Sequence, residues 1–529
     1  MGHVCRDGRC WLLLLALAYL PSAWIASQFA DMPQLGSLHD DGLYVANARS
    51  LAEHGEYRLA SFPGQPWQTK YPPLYSLVLA AALRTGGGTA ALSAVACASI
   101  ALMGLLSWIW YRHSGLAPPV AAVTAALILL TPLVVFIGLH TLADVLFTAL
   151  IIACVIAAER DRPLAAGVLA GLAYLTRAAA LPLLVTSPLV YLLSGKRTSA
   201  ARFAMAMFPF VAAWTLWSGA HRPAHPDPVQ LYYFDYFGFY RANVSLGELP
   251  ALIQSNLWEW LTGIGSLTIP YAPPSMLRPL LIVVAVGCFA GLKRMYAAGA
   301  WRRAHYLWFA AGFAILLLVW NFPPNRRFSI PIYPLLLAGL GTELRTLGAN
   351  FVSGWRNTAG ANRVAAGVGM ALFAVGGPAW IWYNASAIVE DIPAHLLMQR
   401  ASIQRHEPVY GWIRSNAELG ARIYAYDDAV LFAQTGRPSM AFHPSTRFSY
   451  HEDQAGLVAE LAALPEKVRM QRLDYVLLTN DDFHRESVGA EAARLIARLK
   501  TSPGWTPVVS TPHAVLYRVP PPDVARTHP

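Results

Sequence analysis

WLLLLALAYLPSAWIASQFA, residues 11–30, carries no charged side chain. At 1.5 Å per residue, a helix of about 20 apolar residues spans the ~30 Å hydrocarbon core of a bilayer. Read outward from this run, with the Lys and Arg positions marking the ends, the chain offers about eleven such segments. They are 11–30, 90–110, 118–139, 144–158, 163–176, 180–194, 203–219, 277–292, 304–320, 328–344 and 364–384. The fold expected is therefore an α-helical polytopic membrane protein. Residues 1–30 also fit a signal peptide, but the apolar run is long for one, so an uncleaved first span is expected.

Composition agrees. Of 529 residues 55% are hydrophobic and 13% charged, about half the charge of an ordinary soluble domain. The net charge of +10 is scattered singly between apolar runs, without the continuous basic patch that nucleic acid requires. Cys5, Cys10, Cys97, Cys154 and Cys288 have neither metal-knuckle nor disulfide spacing. Orientation follows from counting Lys and Arg in alternate loops. Arg6, Arg9, Arg112, Arg160, Arg162, Lys196, Arg197, Arg202, Lys293, Arg294, Arg302, Arg303, Arg345, Arg356 and Arg363 fall on one side, the cytoplasmic side by the positive-inside tendency. The loops 31–89, 140–143, 220–276 and 321–327, the turn at Arg177 and everything after 384 face outward.

The outer loop 31–89 begins His39-Asp40-Asp41. Three- and four-residue spacing of Leu43, Asn47 and Leu51 predicts an amphipathic helix over 42–54 on the membrane surface, capped by Gly55. A turn-rich stretch through Lys70-Tyr71-Pro72-Pro73 follows, and 72–84 is too short to span, so it reads as interfacial or re-entrant. From 385 to 529 the composition becomes that of a small soluble α/β domain on the outer face, after a membrane domain over 1–384. Strands are expected at 422–426, 474–478, 507–510 and 515–519, helices at 397–416, 456–464 and 486–500. The tail is Pro-rich at 520–522.

Several residues invite chemistry. One carboxylate suffices to cap a helix, so the pair Asp40 and Asp41 points to a base or a metal ligand. Asp144 sits where an apolar segment begins, a costly place for a carboxylate unless paired or functional. Arg177 lies between apolar stretches and either snorkels or meets a phosphate. Arg326 and Arg327 lie where a helix re-enters from outside, against the positive-inside tendency. Tyr232, Tyr233, Phe234, Asp235, Tyr236 and Arg241 read as an interfacial aromatic belt. Asp427 and Asp428 read as a turn or cap. The sequons at Asn243 and Asn384 decide nothing.

An acidic pair after the first span, the Lys70-Tyr71-Pro72-Pro73-Leu74-Tyr75 element, Asp144, Gly171 to Arg177 and Arg327 to Pro334 together resemble the GT-C class of membrane glycosyltransferases. Within it the chain is similar to bacterial relatives of the lipid A aminoarabinose transferase and the protein O-mannosyltransferases. The resemblance covers residues 1 to about 345, and the remainder in layout. It departs in carrying Asp41 where many relatives have Glu and Phe328 where aminoarabinose-transferase relatives favour Tyr. What it implies is an inverting transferase of a bacterial inner membrane. Such an enzyme moves a sugar from a polyprenyl-phosphate donor to a lipid, glycan or protein acceptor on the outer side, in contact with membrane lipids and not with nucleic acid. By matching motif, Asp40 or its rival Asp41 would be the base, Asp144 the acid of the second outer loop, and Lys70, Arg177, Arg326 and Arg327 the cations for the donor phosphate. A divalent cation is left undecided, with Asp40, Asp41 and Asp144 the residues that would hold one. Two other readings stand beside this one. Intramembrane charges also mark a transporter or lipid flippase, although no matched halves with interrupted helices are seen. A non-catalytic scaffold would bind a partner through 385–529.

Overall fold

The computed structural model describes residues 9–31, 35–36, 38–268, 274–357, 360–486, 488–501 and 504–520. Cys5, Arg6 and the tail at 521–522 lie outside them. The chain is an α-helical polytopic membrane protein ending in a small sheet. It divides into two compact units, one of Met1–Asp31, Ser93–Trp214 and Ile253–His395, the other of Met32–Leu92, Thr215–Leu252 and Leu396–Pro529.

Among the described residues, helices long and apolar enough to cross a membrane are Cys10–Gln28, Leu74–His113, Arg197–His221 and Arg363–Asn416. Shorter apolar helices are Pro163–Thr176, Ala178–Leu193 and His305–Leu318. Large apolar side chains such as Leu13, Val185, Leu216 and Ile315 stand exposed along them, which suits lipid rather than water.

The span expected over 118–139 is instead two helices, Pro118–Leu129 and Pro132–Leu139, bent by 55°. Pro132 supplies no N–H and forces Thr131 out of the helical region, to φ −84° and ψ 116°, which breaks the run. The span expected over 328–344 starts as a 3₁₀ turn, Arg326–Ile332, before the helix Tyr333–Asn357. Its cause is again a proline, Pro331. Leu249–Thr268 is a 20-residue helix inside what reads from sequence as an outer loop.

In the first unit Asp144–Glu159 packs along Pro163–Thr176, and Pro274–Met295 along Tyr333–Asn357. The second pair meets at Gly291 and Gly339, where a Cβ on Gly291 would lie 1.7 Å from the Gly339 carbonyl oxygen. Small residues of this kind let membrane helices approach closely.

In the second unit the helix Asp40–His54 is no surface helix. Nine of its 15 residues are buried, including the run Asp41 to Ala48, because the helix Leu74–Ala82 and the helix Asp428–Thr435 pack on it. Spacing at three and four marks one apolar face and cannot reveal that protein also covers the others. Gly55 does cap it, at φ 73° with its N–H on the Leu51 carbonyl. After Leu74–Ala82, a π turn over Leu83–Gly87 with Gly86 at φ 83° separates that short helix from Gly88–His113.

The sheet has five strands: β1 Ile423–Tyr424, β2 Ser439–Met440, β3 Tyr475–Thr479, β4 Thr506–Ser510 and β5 Ala514–Arg518, in the order β2-β1-β3-β5-β4. The β1 strand pairs parallel with β2 and β3, whereas β5 runs antiparallel to β3 and β4. Val409 and Ile413 of the preceding helix pack on Ile423, Leu477 and Leu516 to make its core. Four of these strands match the alternation in the sequence. The two-residue β2 and the helix Asp428–Thr435 do not show in it.

Candidate active site

Within the first unit, three of the charged residues singled out by sequence meet. Asp144 opens the helix Asp144–Glu159 and is 2% exposed. Arg177 follows the helix Pro163–Thr176 in extended backbone. Its Nη1 lies 2.8 Å from Asp144 Oδ2, so it is paired rather than simply snorkelling. Arg327, in the 3₁₀ turn capped by the Asn325 side chain, donates to the same oxygen through Nε at 3.2 Å, and its Nη2 lies 3.0 Å from that oxygen. Two guanidiniums on one carboxylate oxygen leave the trio with a formal excess of one positive charge. A carboxylate oxygen shared in this way holds both guanidiniums in place. Arg326 beside them is half-buried, with its backbone against Gly263, where a Cβ would lie 3.0 Å from the Arg326 nitrogen.

Within the second unit the loop before Asp40–His54 separates the adjacent acids. His39 takes φ 60°, the left-handed region that side chains rarely adopt. Asp41 is wholly buried, its oxygens accepting the backbone N–H groups of Gly42 at 2.7 Å and Leu38 at 3.3 Å. Asp40 stays partly exposed and accepts the Tyr71 O–H at 2.6 Å. Burial, reinforced by Asp40, pushes the Tyr71 phenol well above its usual range, so the phenol remains the donor in that bond.

Lys70 is buried beside them. Its Nζ donates to the Tyr232 carbonyl at 2.5 Å and lies 3.9, 5.0 and 5.3 Å from the ring centres of Tyr232, Tyr236 and Tyr71. Such ring faces attract a cation. Burial lowers the ammonium to about 8, with Asp40 opposing the shift. At neutral pH it is mostly charged. Thr69 donates to the Phe234 carbonyl at 2.8 Å and the Ser218 hydroxyl to the Thr69 carbonyl at 2.7 Å, which fixes the segment that presents Lys70.

The structure thus brings Asp40, Asp41 and Lys70 together in one unit and Asp144, Arg177 and Arg327 in the other. Tyr71, read from sequence as part of a turn-rich stretch, and Tyr232 and Tyr236, read as belt residues, are additions to the site. Their signal was adjacency, Tyr71 following Lys70 and the other two lying in one dense aromatic run. Asp428 is a correction. Rather than standing alone in a turn, it is fully buried with His39 and Tyr233 converging on it. Asn243 and Asn384 are buried too, at 5% and 1% exposure, and the Asn243 amide is committed to Phe239, Ser445 and Thr446. Neither sequon is open to modification in the folded chain. Among the described residues no three His, Cys, Asp or Glu side chains gather to hold a metal ion.

No protein-family model matches the chain, and no curated protein matches it by sequence. Solved structures do match it in fold. ArnT from Cupriavidus metallidurans bound to undecaprenyl phosphate superposes with a TM-score of 0.56 at 15% identity, over 97% of this chain and 98% of that one. The same protein in the apo state gives 0.48 at 14% identity, over 96% and 97%. The chain therefore has a GT-C-like fold, that of ArnT, along nearly its whole length.

Proposed function

We propose that this protein is an inverting glycosyltransferase of a bacterial inner membrane, which moves a sugar from a polyprenyl-phosphate carrier to an acceptor hydroxyl on the outer face. The observation that carries this reading is the Asp40–Tyr71–Lys70 group, in which a partly exposed carboxylate is oriented by a neutral phenol and flanked by a buried ammonium. A carboxylate so held takes the acceptor's proton as the new glycosidic bond forms. The departing phosphate gains charge in the same step, and fixed cations stabilise it. Lys70 is assigned that task.

Arg177 and Arg327, with Arg326, are assigned to the donor phosphate on chemistry. Their shared carboxylate leaves them one positive charge in excess, and guanidiniums match phosphate oxygens in pairs. Asp144 then orients the two arginines. In support, the fold is that of a protein crystallised with undecaprenyl phosphate. The experiment is deletion in the source cell with mass spectrometry of envelope lipids and glycans. A sugar lost from one product, with its polyprenyl-phosphate precursor accumulating, supports the reading. An unchanged glycan profile with altered lipid transport refutes it.

A further inference from the structure

Asp428 lies 389 positions from His39, and both are buried, at 0% and 5% exposure. His39 Nε2 sits 2.8 Å from Asp428 Oδ1, while its Nδ1 lies 3.3 Å from the Tyr232 hydroxyl. Its two ring nitrogens are thus engaged, one by the carboxylate and one by the phenol. The other carboxylate oxygen, Oδ2, accepts the Tyr233 O–H at 2.6 Å, and the Tyr233 oxygen in turn accepts the Ala441 N–H at 3.0 Å. The Ser439 hydroxyl ties down the Asp428 carbonyl at 2.8 Å. Of the carboxylate's partners, His39 lies in the loop of the proposed base and Tyr233 adjoins Tyr232, which meets that loop at His39.

A second contact works to the same end. Gly42 and Ala429 are so close that a Cβ on Gly42 would lie 2.4 Å from the Ala429 Cβ. One residue before Asp40 the backbone stands at φ 60°, a conformation that persists only where surrounding contacts impose it. Asp40 comes directly after that torsion, and its carboxylate accepts the Tyr71 O–H. Tyr232 closes the arrangement, since its hydroxyl meets His39 and its carbonyl receives Lys70.

We infer that Asp428, acting through His39, is a positioning residue that holds the Asp40 carboxylate in its proton-accepting orientation. The sheet-bearing segment would then complete the active-site loop instead of merely following the membrane helices. The inference rests on the functional reading above, and its test separates the two. Full-length wild-type protein, Asp40→Asn, Asp428→Ala, Asp428→Asn and Tyr233→Phe are compared in nanodiscs. The donor probe is labelled polyprenyl-phosphate sugars extracted from the source membranes, and the acceptor is the membrane extract.

Deuterium uptake is followed in the peptide covering 38–43, alongside the unfolding midpoint. Asp428→Ala is expected to lower kcat by between about tenfold and a hundredfold, with KM for the donor within about twofold, and to raise exchange in 38–43. Asp428→Asn recovers most of kcat, because an amide still accepts from Tyr233 through its oxygen and still meets the His39 ring through its NH2. Tyr233→Phe keeps the carboxylate and removes one donor, so it gives the same change severalfold smaller in a chain that retains Asp428. If Asp40→Asn is inactive while Asp428→Ala and Tyr233→Phe match wild type in kcat and exchange, this inference falls and the functional reading stands. Loss of kcat in Asp428→Ala that Asp428→Asn does not recover, with 38–43 exchange unchanged, also overturns it. Wild-type transfer by Asp40→Asn overturns both.

Discussion

Adjacent residues in a helix point about 100° apart around its axis, so two neighbouring carboxylates in a first turn face different surroundings. Asp41 turns inward onto backbone N–H groups, and Asp40 turns to Tyr71. Asp41→Asn is therefore expected to lower stability more than chemistry, whereas Asp40→Asn lowers chemistry and leaves the unfolding midpoint near wild type; thermal unfolding and transfer measured on both variants check this. From the sequence Asp40 led its rival Asp41 only by matching motif, because the strained His39 torsion before them, worth on the order of 1–3 kcal/mol, and the contacts of His39 with Tyr232 and Asp428 join segments far apart in the chain.

Lys70 gives a pH signature. Its folded pKa lies below its unfolded value, near 8 against 10.5, so burial opposes the charge. Stability from this group is greatest above about 10.5, falls as pH drops toward 8 because the unfolded chain takes up the proton first, and is level below that. Donor engagement runs the other way and is lost as pH rises through about 8, where the ammonium discharges. The kcat/KM profile, which reports the free enzyme, should show this limb in wild type and not in Lys70→Met. Asp144→Ala, which leaves two guanidiniums without their shared carboxylate, should cost on the order of 3–5 kcal/mol of stability, read as a fall in unfolding midpoint.

At the scale of elements, hydropathy was a good guide where one helix makes one span. It failed where proline divides a run, at Thr131-Pro132 and at Pro331, because the apolar signal passes unchanged over a break in hydrogen bonding. It was silent at Leu249–Thr268, whose polar positions dilute the signal although the helix is long. The helix Asp40–His54 was legible in extent and in its Gly55 cap, yet its surroundings were not. A direct consequence concerns Gly42. Gly42→Ala should destabilise by about 1–3 kcal/mol, since the added Cβ meets Ala429, and Gly42→Ala with Ala429→Gly should recover most of it. Chemical denaturation of the two variants measures both.

For the molecule as a whole, composition alone was enough to place the chain among polytopic membrane proteins, and scattered motifs pointed to a GT-C fold that the superposition on ArnT bears out. Which segments condense together was not legible, because residues of 32–92, 215–252 and 396–529 form one compact unit through contacts of large sequence separation. The sidedness proposed from charge has its own check. A cysteine at Met470, which is exposed, should react with membrane-impermeant maleimide in intact spheroplasts, and one at Arg197 should react only after lysis. The central claim is that Asp40 removes the acceptor proton during glycosyl transfer from a lipid phosphate. The most direct measurement is single-turnover transfer of labelled sugar from polyprenyl phosphate by reconstituted wild type and Asp40→Asn at matched donor occupancy. The account predicts that Asp40→Asn binds donor normally and transfers about 10² to 10⁴ times more slowly. Transfer at the wild-type rate would contradict it.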